Sequence, residues 1–164
     1  MTQFISHSRK SDGSLSIGLV NEIVELDKNN GNDDLHGEES NGYATKADFM
    51  IVAVHDGRVR GKVEFSLFPL ERLCYIDWVA APGFGDVVLK QLEKFLKEHS
   101  IDKIDLKISI DSSEKQETVV RRVNFYFRHG YLVVKITHHS NALPEVEFYM
   151  TKNLDTTKIK DKQN

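Results

Sequence analysis

The chain has 164 residues, 40% apolar and 29% charged, the balance of an ordinary globular protein able to bury about two thirds of its unfolded surface. Its 22 basic and 25 acidic side chains leave a net charge of −3, so a nucleic-acid or anionic-membrane partner, which calls for clustered positive charge, is not expected. Cys74 is the only cysteine, which excludes an intrachain disulfide and a thiolate zinc site; Met1 to Lys10 lacks the apolar run of a secretory signal, and no stretch approaches the ~18 apolar residues of a membrane span, so a soluble, cytoplasmic protein is expected.

Residues 3–8 give a weak first strand. Leu15, Leu19, Val20, Ile23, Val24 and Leu26 then recur at three- and four-residue steps, the stripe of an amphipathic helix capped by Asp12 or Ser14. It dissolves at Asn29-Asn30-Gly31-Asn32-Asp33-Asp34, and residues 29–45 read as one long loop. The apolar run Phe49 to Val54 predicts a strand buried on both faces. His55 to Gly61 turns the chain, and Val63, Phe65 and Leu67 alternate along a second strand that Pro69 ends. Leu73 to Ala80 is a third strand of this run, closed by Ala81-Pro82-Gly83.

Val88, Leu89, Leu92, Phe95 and Leu96 form the apolar stripe of the clearest helix, with Lys90, Glu93, Lys94, Lys97 and Glu98 on its wet face. Ile104, Leu106, Ile108 and Ile110 alternate with polar residues along a half-buried strand. Ser113 or Asp111 can cap a helix carrying Val119, Val120, Val123, Tyr126 and Phe127, and Gly130 stands where a left-handed helix end is wanted. Tyr131 to Ile136 and Val146 to Met150 complete the sheet. This order predicts an α+β or mixed α/β fold, with the strand ending at Ala80 parallel to the one starting at Lys103. Residues 1–154 read as a single domain and 155–164 as a flexible polar tail.

Pro82-Gly83-Phe84-Gly85 joins a strand to a helix, where glycines permit close backbone approach and helix amides attract anions. Three segments together resemble the GNAT superfamily of N-acetyltransferases: the turn His55 to Gly61, the strand leading into that glycine-rich turn and long helix, and Asn124-Phe125-Tyr126-Phe127-Arg128-His129-Gly130-Tyr131. The last looks like the family's late motif of Asn-Phe-Tyr, three residues, then Gly and an aromatic. Glu147 to Leu154 is also similar to the last strand of many members. The likeness runs from about residue 47 to residue 154 and implies a central mixed sheet of six to seven strands flanked by about three helices.

The resemblance further implies acetyl-coenzyme A as cosubstrate and direct attack by a primary amine on its thioester in a ternary complex. It places Val79, Ala80, Ala81, Gly83, Phe84, Gly85, Asp86, Asn124 and Tyr126 at the coenzyme, and makes Tyr126 the acid that protonates the departing thiolate, a sensible role for a phenol of pKa ~10. The acceptor is then a small cationic amine, a polyamine, or the lysine or N-terminus of a peptide; a homodimer is allowed and no metal is implied. Ala80 stands where the family usually has Arg or Gln, the loop to Gly83 is short, and Val119 and Arg122 replace the family's Asn or Ala. These departures keep an alternative open: a binding module of the same fold without turnover.

Glu64 and Asp77 are the candidate bases. Glu64 has the opposite strand parity to Val63 and Phe65; Asp77 is expected to share a face with Tyr75 and Val79, company that raises a carboxylate pKa unless backbone donors or Arg72 satisfy it. Asp27, Asp33, Asp34, Glu38 and Glu39 against Lys28 make residues 27–39 acidic, either a solvated loop or a means of attracting a cationic acceptor. His138 and His139 are adjacent in a strand, point to opposite faces and cannot easily share an ion. Cys74 and Trp78 are expected in the core.

Overall fold

The computed structural model describes residues 1–8, 16–29, 47–111, 113–139 and 145–154. Ten elements follow in chain order: β1 (Thr2–Ser8), α1 (Ile17–Asn29), β2 (Phe49–His55), β3 (Arg58–Phe68), β4 (Leu73–Ala80), α2 (Gly85–Glu98), β5 (Lys103–Asp111), α3 (Gln116–Arg128), β6 (Leu132–His139) and β7 (Glu145–Asn153). The strands form one sheet in the order β1-β2-β3-β4-β5-β7-β6. Every neighbouring pair is antiparallel except β4 and β5, which the α2 crossover makes parallel, as the element order predicts.

Local chemistry explains the boundaries. Asp56 and Gly57 both have positive φ, 52° and 74°, and close a two-residue hairpin between β2 and β3 whose twist suits the strands. Ser16 caps α1: its Oγ accepts from the Leu19 amide at 3.3 Å, whereas the expected caps Asp12 and Ser14 lie outside the described residues. The N-cap position of α3, expected at Asp111 or Ser113, is held by Lys115, which makes no side-chain bond to the helix. At the other end Gly130, at φ +81°, makes the left-handed stop predicted for it, with the amides of Gly130 and Tyr131 returning to Phe127 and Tyr126.

Two apolar layers sandwich part of the sheet. Val88, Leu89, Leu92 and Leu96 of α2 pack with Ile51, Val63, Phe65, Cys74, Ile76, Ile104 and Leu106, and Tyr126 of α3 joins the same core. On the opposite face Ile23 of α1 seals Met50 and Val52, with Leu19, Val20 and Val24 at the margin. Cys74 is fully buried in the first layer, as expected, and burial pushes its thiol well above the usual range. Among the described elements α1 packs chiefly on β3, leaving that face of β4, β5, β7 and β6 without a helix. No helix among the described residues is long and apolar enough to cross a membrane.

Asp27, expected as part of an acidic loop, is instead sealed beneath α1. It accepts from Lys62 Nζ at 2.6 Å, and Lys62 also bonds Glu64; all three are almost wholly excluded from water. Asp33, Asp34, Glu38 and Glu39 lie outside the described residues, as does the polar tail 155–164.

Candidate active site

Asp77 is a β-bulge. Glu64 of β3 pairs with Trp78, but the next residue, Phe65, pairs with Ile76, so β4 carries one residue more than its partner. Pairing between β4 and β5 stops at the same point: it runs from Leu73–Lys103 to Ile76–Leu106 and no further, although both strands continue. A bulge bends its strand and raises its twist, which turns the end of β4 away from β5. The strands therefore part after Ile76, four residues before Ala80.

The resulting cleft has a volume of about 920 Å³ and is lined by residues from both faces of the sheet. On the helix side Ile76, Leu106 and Ile108 belong to the core layer under α2 and α3, and Thr118, Arg121, Phe125 and Tyr126 line the cleft from α3. On the far side strand alternation presents Tyr75, Asp77, Lys107 and Ser109. The bulge also reverses the parity of β4, so Val79 packs into the helix-side core while Asp77 stays with Tyr75; the two do not share a face with Val79 as the sequence suggested. Trp78 is half-buried in the cleft wall rather than in the core, and its Nε1 is buried without a partner among the described residues.

The helix-side mouth is built by the β4–α2 turn. Gly83, at φ +74°, takes a conformation that side chains rarely adopt, and no side chain caps the first turn of α2. Gly85 has a different reason to be glycine: a Cβ there would lie 2.7 Å from the Phe125 ring, so the turn and α3 touch face to face. The cradle has few free donors, because Pro82 has no N–H and the Phe84 amide bonds Ala81 O at 3.0 Å. Asp86 adds a negative charge, held ionised by His129 Nε2 at 2.9 Å. Arg121 and Arg128, seven residues or about 10 Å apart on α3, line the same mouth and form no ion pair among the described residues. Arg122 is paired with Glu114.

Of the residues expected at the coenzyme, Val79, Ala81, Gly83, Gly85, Asp86 and Tyr126 line the cleft. Ala80 is buried, Phe84 packs beside the His55 ring with centroids 5.6 Å apart, and Asn124 is exposed on α3; these three are not in the lining. Tyr126 is 9% exposed, and burial pushes its pKa up to about 12 although Arg122 pulls the other way. Asp77 accepts from Ser66 Oγ at 2.9 Å, while Arg72 pairs with Asp102 instead. Asp77 is exposed at the cleft, and its partial burial there raises its pKa; the Ser66 bond opposes this, and the charges of Glu64 and Asp48 add to it. Glu64 itself is 1% exposed and tied to Lys62, so it does not reach the cleft.

One polar group was missed in the sequence. Glu147 on β7 accepts from Lys107 Nζ at 2.5 Å, Tyr149 Oη at 2.7 Å and His139 Nε2 at 3.0 Å, and these bonds lower its pKa to about 2. Lys107 is raised in turn, chiefly by its bond to Glu147. His138 and His139 diverge as expected: His139 reaches Glu147 and His138 is exposed.

This architecture has close counterparts among solved structures. An aminoglycoside 6′-N-acetyltransferase complexed with coenzyme A matches with a TM-score of 0.65 at 13% identity, over 91% of this chain and 96% of that one. The ribosomal-protein-S18-alanine N-acetyltransferase of Escherichia coli matches at 0.59 and 11% identity over 94% of each chain. A probable acetyltransferase of Staphylococcus epidermidis matches at 0.64 and 10% identity, over 93% and 99%. The fold is the GNAT fold. No protein-family model matches the chain, and no curated protein sequence does. The GNAT expectation of six to seven strands and about three helices is met by seven and three. At these identities the likeness is one of fold.

Proposed function

We propose that residues 1–154 form one GNAT-type domain, working in the cytoplasm, that transfers the acetyl group of acetyl-coenzyme A to a primary amine by direct attack in a ternary complex. The observation that carries this reading is the parting of β4 and β5 after Ile76 and Leu106, at a cleft lined from both faces of the sheet. An opening with two mouths lets a thioester enter from the helix side and an amine from the far side. The fit to the coenzyme is mixed at the turn, where Asp86 opposes an anion, and good on α3, where Arg121 and Arg128 supply the positive charge that the short cradle lacks.

Each residue then has a task. Amides of β4 beyond Ile76, released from β5, polarise the thioester carbonyl. Asp77, its pKa raised, takes the proton from the acceptor's ammonium. The amine nitrogen forms its bond to the carbonyl carbon as the carbon–sulfur bond breaks, and Tyr126, which keeps its proton throughout the working pH range, donates it to the leaving thiolate. Structures of the same fold are named as acetyltransferases of aminoglycosides and of a ribosomal protein's alanine, which supports an amine acceptor in general.

A melting scan with and without acetyl-coenzyme A tests the reading. Selective binding to the native state raises the midpoint, and a binding isotherm flat to high micromolar coenzyme overturns it. Coenzyme binding without transfer to any amine would favour the alternative, a binding module of the same fold, for which the acid at Asp86 and the sparse cradle speak.

A further inference from the structure

The far-side mouth carries opposite charges that do not meet. Asp77 follows Ile76 on β4 and Lys107 follows Leu106 on β5, so they stand one step beyond the last paired residues of the two strands, on the same face. Opposite charges on neighbouring strands stabilise each other when they meet. Here each turns outward: Asp77 to Ser66 Oγ at 2.9 Å on β3, Lys107 to Glu147 at 2.5 Å on β7, and no ion pair joins the two. Tyr75 stands two residues before Asp77 on the same face, its pKa raised first by burial; Lys107 lowers it, while Asp77, Glu147 and Asp105 raise it. The Lys107 side chain is 36% exposed, and its ammonium has three donors of which Glu147 takes one. Glu147 in turn is shared among three donors, so it does not engage the lysine alone.

From this separation we infer that the acceptor is a zwitterion, an amine that also carries a carboxylate, as in a free amino acid. The inference rests on the acetyl-transfer reading and deepens it. The acceptor's ammonium lies against Asp77, which removes its proton, and its carboxylate lies against Lys107 and the Tyr75 hydroxyl. A diamine or polyamine would bring a second cation to Lys107, and that repulsion selects against it. The wide, parted strands leave room for the ligand to complete both charges where the protein leaves them apart.

The test uses the full chain with acetyl-coenzyme A and follows thiol release with matched acceptors: lysine against cadaverine, ornithine against putrescine, glycine against methylamine. The amino acids are expected to exceed their decarboxylated partners by about tenfold in kcat/KM, the scale of one charge-assisted hydrogen bond. Lys107→Gln should raise KM for the amino acids and erase that preference, Lys107→Glu should invert it toward the diamines, and Lys107→Arg should keep it. Equal or better use of the decarboxylated amines by the native protein overturns the inference, as does a preference that survives Lys107→Glu. So does a protein that binds acetyl-coenzyme A and acetylates nothing in the panel. Failure to bind the coenzyme at all is a separate result, which removes the transfer reading itself.

Discussion

Lys62, Asp27 and Glu64 occupy the same face of the sheet as Tyr75, Asp77 and Lys107, one or two strands away, yet the two groups live in different solvents. The first lies beneath α1, with Lys62 and Asp27 at 0% exposure and both carboxylates directed at one ammonium. The second lies past the edge of α1, where the bulge parts the strands and water enters. What separates a sealed charge cluster from an open one here is cover rather than composition. Sealed charges must satisfy one another, because desolvation is too costly otherwise. Charges at an open cleft can be held apart and wait for a ligand.

Breaking the sealed group should give the largest effect. Lys62→Met leaves Asp27 and Glu64 buried without their cation and should cost ~3–5 kcal/mol, lowering the melting midpoint by roughly 10 °C, while a folded sample at low temperature still binds coenzyme. A shift of only a degree or two would mean that water reaches this cluster and the contrast fails. At the open group, Asp77→Asn should lower kcat/KM by about a hundredfold with little change in the melting midpoint. Its pH profile sharpens the comparison. A base must be unprotonated to act, so activity should fall as pH drops through the Asp77 pKa, at a pH above the ordinary carboxylate value; in Asp77→Asn that limb should vanish. Glu64→Gln should do the reverse, costing stability and keeping the limb. The smallest effect is expected at Tyr126→Phe, which should reduce turnover about tenfold at saturating acceptor and leave coenzyme affinity near that of the native protein. Turnover that stays level would return Tyr126 to the core it packs in.

How much could be read beforehand follows sequence distance. The Asp56-Gly57 hairpin, the α2 stripe, the strand alternation of Ile104 to Ile110 and the Gly130 stop all depend on neighbours within a few residues, and each was legible. The late motif around Tyr126 was also legible, because its aromatic spacing survives in one short stretch. The bulge was not: Leu73 to Ala80 is a nearly continuous apolar run that marks no break, and the extra residue exists only relative to β3. For the same reason Val79 was assigned to the wrong face. Lys62–Asp27 and Lys107–Glu147 join positions 35 and 40 residues apart, and each partner alone looks like a solvated charge. Asp27 in particular sits beside an acidic run that suggests a loop, whereas α1 carries it inward. Arg121 and Arg128 share a helix face by simple periodicity, and only their place at a cleft gives that periodicity a use.

The bulge makes the width of the aperture a matter of chain length. Remove one position between Ile76 and Val79 and β4 would match β3 rung for rung, its final residues would keep their present faces, and nothing would steer it off β5. Two folds that differ by a single residue of strand would thus present a continuous wall in one case and a doorway in the other.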